Sequence, residues 1–226
     1  MEKLINNTTK IRFLLIAIIL FAACKKDKPI SDIDITKYCI AGKYEKNGVL
    51  IPFLFTFSDN AKVNLYADFG GEETKSTYIY TNGELKITHG LSYTFKISNA
   101  DEKIIGLTSE DKSIETYSLV KLPIGNQLNL NTYEGTFKPI IAGAFQYTAS
   151  LKFNNNSNIY TESIAGNKID RYYTPINGIA GYSANGNIKS FFVLIDGKLE
   201  ISYFISKWQF ENNKDTRLYG SFNKTN

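Results

Sequence analysis

The stretch Phe145-Gln146-Tyr147-Thr148-Ala149-Ser150-Leu151-Lys152-Phe153-Asn154 alternates without a break. Phe145, Tyr147, Ala149, Leu151 and Phe153 fall on one side. Gln146, Thr148, Ser150, Lys152 and Asn154 fall on the other. A period of two marks a half-buried strand with one wet face. Leu91, Tyr93, Phe95 and Ile97 repeat the pattern against Ser92, Thr94, Lys96 and Ser98. Val49, Ile51, Phe53, Phe55 and Phe57 form a third apolar face. Leu50 and Leu54 lie opposite, which predicts a strand covered on both sides. Pro52 has no N–H for a ladder bond, so an edge or a bulge is expected there.

Turn signals separate these runs. Asn47-Gly48, Asn82-Gly83, Asn185-Gly186 and Asp196-Gly197 suit two-residue hairpins, which require positive φ. Phe and Tyr, 15 of each, enrich the chain in strand-favouring rings. No segment after residue 24 shows a helical period. The fold class is therefore all-β, an antiparallel up-and-down barrel or a sandwich, built from two related β halves.

The relation between the halves lies in ordered matches. Gly42-Lys43-Tyr44-Glu45 resembles Gly135-Thr136-Phe137-Lys138, and Phe55-Thr56-Phe57 resembles Leu151-Lys152-Phe153. Tyr80-Thr81-Asn82-Gly83-Glu84-Leu85 resembles Leu194-Ile195-Asp196-Gly197-Lys198-Leu199, and Phe95 and Gly106 match Phe210 and Gly220. The offset grows along the chain, which predicts an insertion in the second half near 163–188. A repeat is a fold-level signal. The first half also resembles bacterial lipocalin-like domains. The resemblance rests on Gly42-Lys43-Tyr44, Phe57-Ser58-Asp59-Asn60, the Tyr80-Thr81-Asn82-Gly83 hairpin and Tyr117 to Lys121. It covers about residues 40–122 and more weakly 131–222. It implies a barrel with a ligand in its mouth. The second half ends soon after Gly220, so its matching final strand is expected to be missing. One continuous barrel or two packed sheets sharing strands are both open on this reading.

The N-terminus carries an address. Lys3, Lys10 and Arg12 precede the apolar run Phe13 to Ala23. That run is shorter than the roughly 20 residues that a membrane-spanning helix needs. Basic flank, short apolar run and small residues define a secretory signal. Phe21-Ala22-Ala23-Cys24 resembles the bacterial lipobox, with Phe21 where Leu is usual. The resemblance implies cleavage before Cys24 and its modification by diacylglyceryl and N-acyl groups. Cys24-Lys25-Lys26-Asp27 also resembles the start of Bacteroidota-type lipoproteins. There Lys25, Lys26 and Asp27 would act in sorting to the outer membrane, facing the periplasm or the cell surface. The expected organisation is a signal peptide over 1–23, a lipidated tether over 24–36, a first β half over 37–124 and a second over 125–226.

The remaining chemistry is sparse. The leader holds three basic residues and one acidic one, so its removal takes the net charge from +4 to +2. No Lys/Arg block suggests nucleic acid. Once Cys24 is acylated, Cys39 has no partner for a disulfide and reads as a small buried residue. The single His89 sits at a hairpin end without a nucleophile elbow. Neither a metal site nor a cofactor is expected, and no catalytic residue stands out. Tyr172, Tyr173 and Tyr182 fall in the predicted insertion, where a long loop over 167–187 would present them for binding. The expectation is a non-enzymatic, lipid-anchored β protein that binds a small hydrophobic or saccharide ligand. The alternative is an accessory or interaction subunit of an outer-membrane or cell-surface complex. Membrane, small ligand and outer-membrane protein are thus the expected partners.

Overall fold

The computed structural model describes residues 32–68, 70–89, 91–109, 112–139, 146–155, 157–208 and 214–225. Residues 32–226 form one compact unit that holds two β-sheets.

The first sheet has eight strands: β1 Tyr38–Lys46, β2 Val49–Phe57, β3 Lys62–Ala67, β4 Gly70–Thr81, β5 Glu84–His89, β6 Leu91–Ser98, β7 Lys103–Ser109 and β8 Ile114–Lys121. Each pairs antiparallel with the next as far as β7. β8 returns to pair with β1, with Ile40 opposite Leu119. β7 and β8 are the two ends of this nearly closed barrel, called barrel 1. The second sheet comprises β9 Thr132–Pro139, β10 Tyr147–Phe153, β11 Ile159–Ile164, β12 Asn167–Tyr172, β13 Thr174–Ile176, β14 Ala180–Asn185, β15 Ile188–Ile195, β16 Lys198–Trp208 and β17 Lys214–Lys224. Here β17 pairs with β9, with Phe222 opposite Gly135. Only Tyr173 separates β12 from β13. One bent strand thus pairs with β11 through its first part and with β14 through its second. Read so, barrel 2 is also an eight-strand meander.

Among the described residues, no strand is exchanged between the halves. The closing strand of the second half is present and is β17 itself. The segment near 163–188 is not an inserted loop, because it supplies β12, β13 and β14. The repeat runs at a steadier offset than the sequence matches suggested. Gly42 lies opposite Phe53, and Gly135 lies opposite Ala149. Ile40 faces Phe55, as Tyr133 faces Leu151. The mid-barrel turn Asn82-Gly83 corresponds to Asn177-Gly178, not to Asp196-Gly197. Both Asn residues and both Gly residues there have positive φ.

The turns follow their chemistry. Asn47-Gly48, Asn82-Gly83 and Asp196-Gly197 have positive φ at both positions, as a type I′ hairpin demands. The third Asx-Gly pair is shifted by one residue. Asn185 pairs with Ile188 at the strand end, and the turn is Gly186-Asn187 with Gly186 at φ 61. Only the first turn residue then needs positive φ, as in type II′. Pro52 pairs with Lys43 of β1. On its other side β3 has already ended, since the last pair there is Phe53 with Ala67. The missing N–H is therefore tolerated.

The barrels pack through their outer walls. Cys39, Ala41 and Leu54 of barrel 1 meet Ile176, Ala180, Phe191, Val193 and Ile195 of barrel 2. Tyr66 stacks on Phe191 with ring centroids 6.4 Å apart. This contact covers Leu54 on the second face of β2, whereas Leu50 at the start of the strand is 43% exposed, so the expected double cover holds for only part of β2. Lys43 Nζ lies 3.2 Å from Glu200 Oε1, which also accepts from Ser221 Oγ at 2.9 Å.

Candidate functional site

Each barrel has a floor laid by the residues before its first strand. In barrel 1 a short 3₁₀ turn, Ile35–Lys37, buries Ile35 in the interior. Asp32 fixes the segment from outside. Its carboxylate accepts from the N–H of Asn82 at 2.9 Å, from that of Gly83 at 3.1 Å and from Asn99 Nδ2 at 3.0 Å. These bonds, Asn82 first, hold Asp32 below the usual aspartate range. In barrel 2 the turn after Asn126 buries Leu128 completely. The N–H of Gln127 bonds to Gly178 O at 2.7 Å. Ile35 and Leu128 stand 93 residues apart, like Gly42 and Gly135.

At the other end barrel 1 is open among the described residues. A cup of about 250 Å³ lies among the upper ends of its strands. Four rings form one wall in sequence of contact: Tyr44 to Phe53 at 6.5 Å, Phe53 to Phe55 at 5.5 Å, and Phe55 to Tyr93 at 5.8 Å. Leu65, Ala67, Leu91 and Ile114 complete the lining. Gly42 lets this wall form. A Cβ there would stand 2.7 Å from the Phe53 ring and 2.2 Å from Thr116 O. The strand below the ring must therefore carry no side chain.

The rim is tied to barrel 2. Asp68 follows the cup residue Ala67 and has φ 56, in the left-handed region. Its Oδ1 accepts from the Tyr219 hydroxyl at 2.9 Å, and its Oδ2 lies 3.5 Å from Arg217 Nη1. Burial raises the Asp68 carboxyl above its usual value, although Tyr219, Arg217 and Lys46 pull the other way.

The interior of barrel 2 is occupied. Phe137, Phe153, Phe192, Phe222, Tyr160 and Tyr173 pack ring against ring. Among them lies an ion pair that the sequence reading missed. Arg171 Nε donates to Glu162 Oε2 at 2.6 Å, and the Tyr203 hydroxyl donates to the same oxygen at 3.0 Å. The two charged side chains are 8% and 0% exposed. Burial, and then the Glu162 charge, push the Tyr160 hydroxyl up to about 12. Tyr147 and Tyr203 are raised for the same reasons in the same order. The available signal was the register of one hairpin: the inward side of β11 carries Tyr160 and Glu162, and Arg171 sits opposite Tyr160.

The three tyrosines expected to bind together are not brought together. Tyr172 is 68% exposed and lends its carbonyl to Ser183 Oγ and Asn185 Nδ2. Tyr173 is buried in barrel 2 and accepts from Asn126 Nδ2 at 2.8 Å. Tyr182 packs half-buried at the contact between barrels. The reason is the alternation itself: neighbours on a strand point to opposite faces. Cys39 is fully buried, and burial pushes its thiol up to about 12. Cys24, Lys25, Lys26, Asp27, Phe145 and Phe210 lie outside the described residues. Among the described residues, no three His, Cys, Asp or Glu side chains are placed to hold a metal ion.

In comparisons with known proteins, no family model, no curated protein and no solved structure matches this chain.

Proposed function

We propose that the chain is a lipid-anchored binding protein of the outer membrane, and that barrel 1 holds a small apolar ligand in its mouth. The observation that carries this reading is the cup. It is floored at one end, open at the other, and walled by four aromatic and four aliphatic side chains. An apolar cavity of ~150 Å³ already admits a guest the size of benzene. A cup of about 250 Å³ suits a ring with a short chain, or a branched aliphatic group. The wall favours such a ligand over a saccharide, which needs polar partners for its hydroxyls. The anchor rests on the Phe21-Ala22-Ala23-Cys24 pattern.

Native mass spectrometry of residues 25–226, purified from the host without detergent, tests the binding. Extra mass that is released on denaturation is expected. Ala67→Phe fills the cup from the end of β3 and should weaken ligand retention at least about tenfold, or 1.4 kcal/mol. Circular dichroism should not change. A guest-free mass in the wild type would turn the reading toward an accessory subunit of an outer-membrane complex.

A further inference from the structure

Strand directions place both floors at one end of the molecule. β8 ends at Lys121, opposite Tyr38 at the foot of β1. The N–H of Leu122 then bonds to Lys37 O at 2.8 Å. One residue on, Pro123 lies against Gly178 at the foot of barrel 2. The ten-residue linker 122–131 therefore runs from one floor to the other. Ile124 on it is fully exposed, and Leu130 is 63% exposed. Three ion pairs lie near the floor of barrel 1, Lys37 with Asp34 at 3.1 Å, Lys121 with Glu102 at 3.1 Å, and Lys103 with Asp101 at 3.6 Å, and the β2–β3 turn at that end adds one charge of each sign, Asp59 and Lys62. The described chain begins at Asp32, on the same end. From Cys24 to Asp32 is eight residue steps, which span at most about 28 Å.

We propose that this shared floor is the membrane-facing side of the protein. Ile124 and Leu130 enter the headgroup region of the lipid that carries the Cys24 anchor, and the mouth of barrel 1 opens away from it. The inference rests on the lipid-anchor reading. An anchor within about 28 Å of the floor keeps that end at the surface at high effective concentration. Two exposed aliphatic side chains beside neutralised charges then add a weak contact that neither would sustain alone. The ligand entrance is left facing the aqueous compartment.

The test uses the full lipidated protein in phosphatidylethanolamine–phosphatidylglycerol vesicles. An environment-sensitive fluorophore is placed on Ile124→Cys, or on Lys46→Cys at the mouth. The buried Cys39 thiol does not compete for label. The probe at 124 should shift to the blue and be quenched at least about twofold by headgroup-level nitroxide lipids. The probe at 46 should keep its emission in water. Equal, water-like emission at both sites, with the protein floating on the vesicles, would overturn the orientation while leaving the anchor intact. Protein that does not float removes the anchor, and the orientation with it. Quenching at 46 instead of 124 would reverse the proposal. Ile124→Asp with Leu130→Asp should abolish the shift of a probe at Gln127→Cys, an exposed position on the same linker, without loss of flotation. Persistence of that shift would also overturn the proposal.

Discussion

In barrel 1 the rings Tyr44, Phe53, Phe55 and Tyr93 stop at the wall and leave a cup; in barrel 2 the rings cross the interior and meet. The glycines show how closely the plans correspond and where they part. Gly42 is covered by Phe53 from β2, the strand after it. Gly135 is covered by Phe222 from β17, the strand on its other side. The same gap in the first strand receives a ring from opposite directions. Opposite Gly42 on the closing strand stands Tyr117, and opposite Gly135 on the following strand stands Ala149. Side-chain size at paired positions, with the backbone plan unchanged, decides whether a barrel keeps a cup or fills it.

The largest test of that contrast empties barrel 2. Phe153 is fully buried and touches Tyr133, Tyr160, Tyr173 and Phe192. Phe153→Ala should cost about 4 kcal/mol in urea denaturation. It should also create a space that takes up a benzene-sized guest, so that barrel 2 comes to resemble barrel 1. A loss under about 1 kcal/mol would mean that the interior collapses around the gap, and the distinction between filled and open would fail.

The buried pair is next. Arg171→Met leaves the Glu162 carboxylate inside without its guanidinium partner, and should cost about 3 kcal/mol. Adding Glu162→Leu should recover most of that loss, because an apolar pair of similar volume is tolerated where a lone charge is not. If the double variant is no more stable than the single one, the pair contributes geometry that the apolar replacement lacks. Glu162 Oε1 is buried and has no hydrogen-bond partner among the described residues, so there even the native pair is incompletely satisfied.

These two sites also mark the boundary of what the sequence discloses. The period of two in Tyr147 to Phe153 and in Leu91 to Ile97 translates directly into β10 and β6. Asx-Gly pairs locate four hairpins, one of them displaced by a residue. Two β halves were visible in the Gly42 and Gly135 motifs. The offset of Asn82-Gly83 was misassigned, because every Asx-Gly hairpin looks alike and only strand order separates Asn177 from Asp196. Glu162 and Arg171 were missed because a charged residue on an inward position reads as a break in the pattern. The cup could not be read at all. Its volume depends on which side chains face one another across the barrel, and alternation says only that they face inward. Tyr172 and Tyr173 were the reverse case. The period of two already sends adjacent residues to opposite faces, and a predicted loop obscured it.

The contact between the barrels gives a smaller effect. Tyr219→Phe removes one hydrogen bond to a partly buried carboxylate and should cost about 1.5 kcal/mol. If the rim of the cup depends on barrel 2, ligand retention should weaken a few-fold as well. Asp68→Asn keeps an acceptor for Tyr219 and should retain the ligand. Equal retention in all three proteins would show that the cup stands without support from its neighbour.

The smallest effects are those of pH, and here floor and rim should move in opposite directions. Asp32 is held below the ordinary aspartate value of 3.8 by hydrogen bonds from Asn82 and Asn99. Its contribution to stability is present above that value and is lost as pH falls through the lower, folded one. Asp68 is raised above 3.8, chiefly by burial. The folded protein there binds a proton more readily than the unfolded chain, so stability falls as pH rises through the interval between the two values. Urea denaturation between pH 3 and 6 separates the two. Asp32→Asn should be penalised most at the upper end of that range and approach wild type at the lower. Asp68→Asn should compare best with wild type at the upper end, where the native carboxylate is charged in its buried setting. If both variants follow the same slope, the rim carboxylate is as well solvated as the floor one, and the clamp by Tyr219 and Arg217 fails to seal it from water.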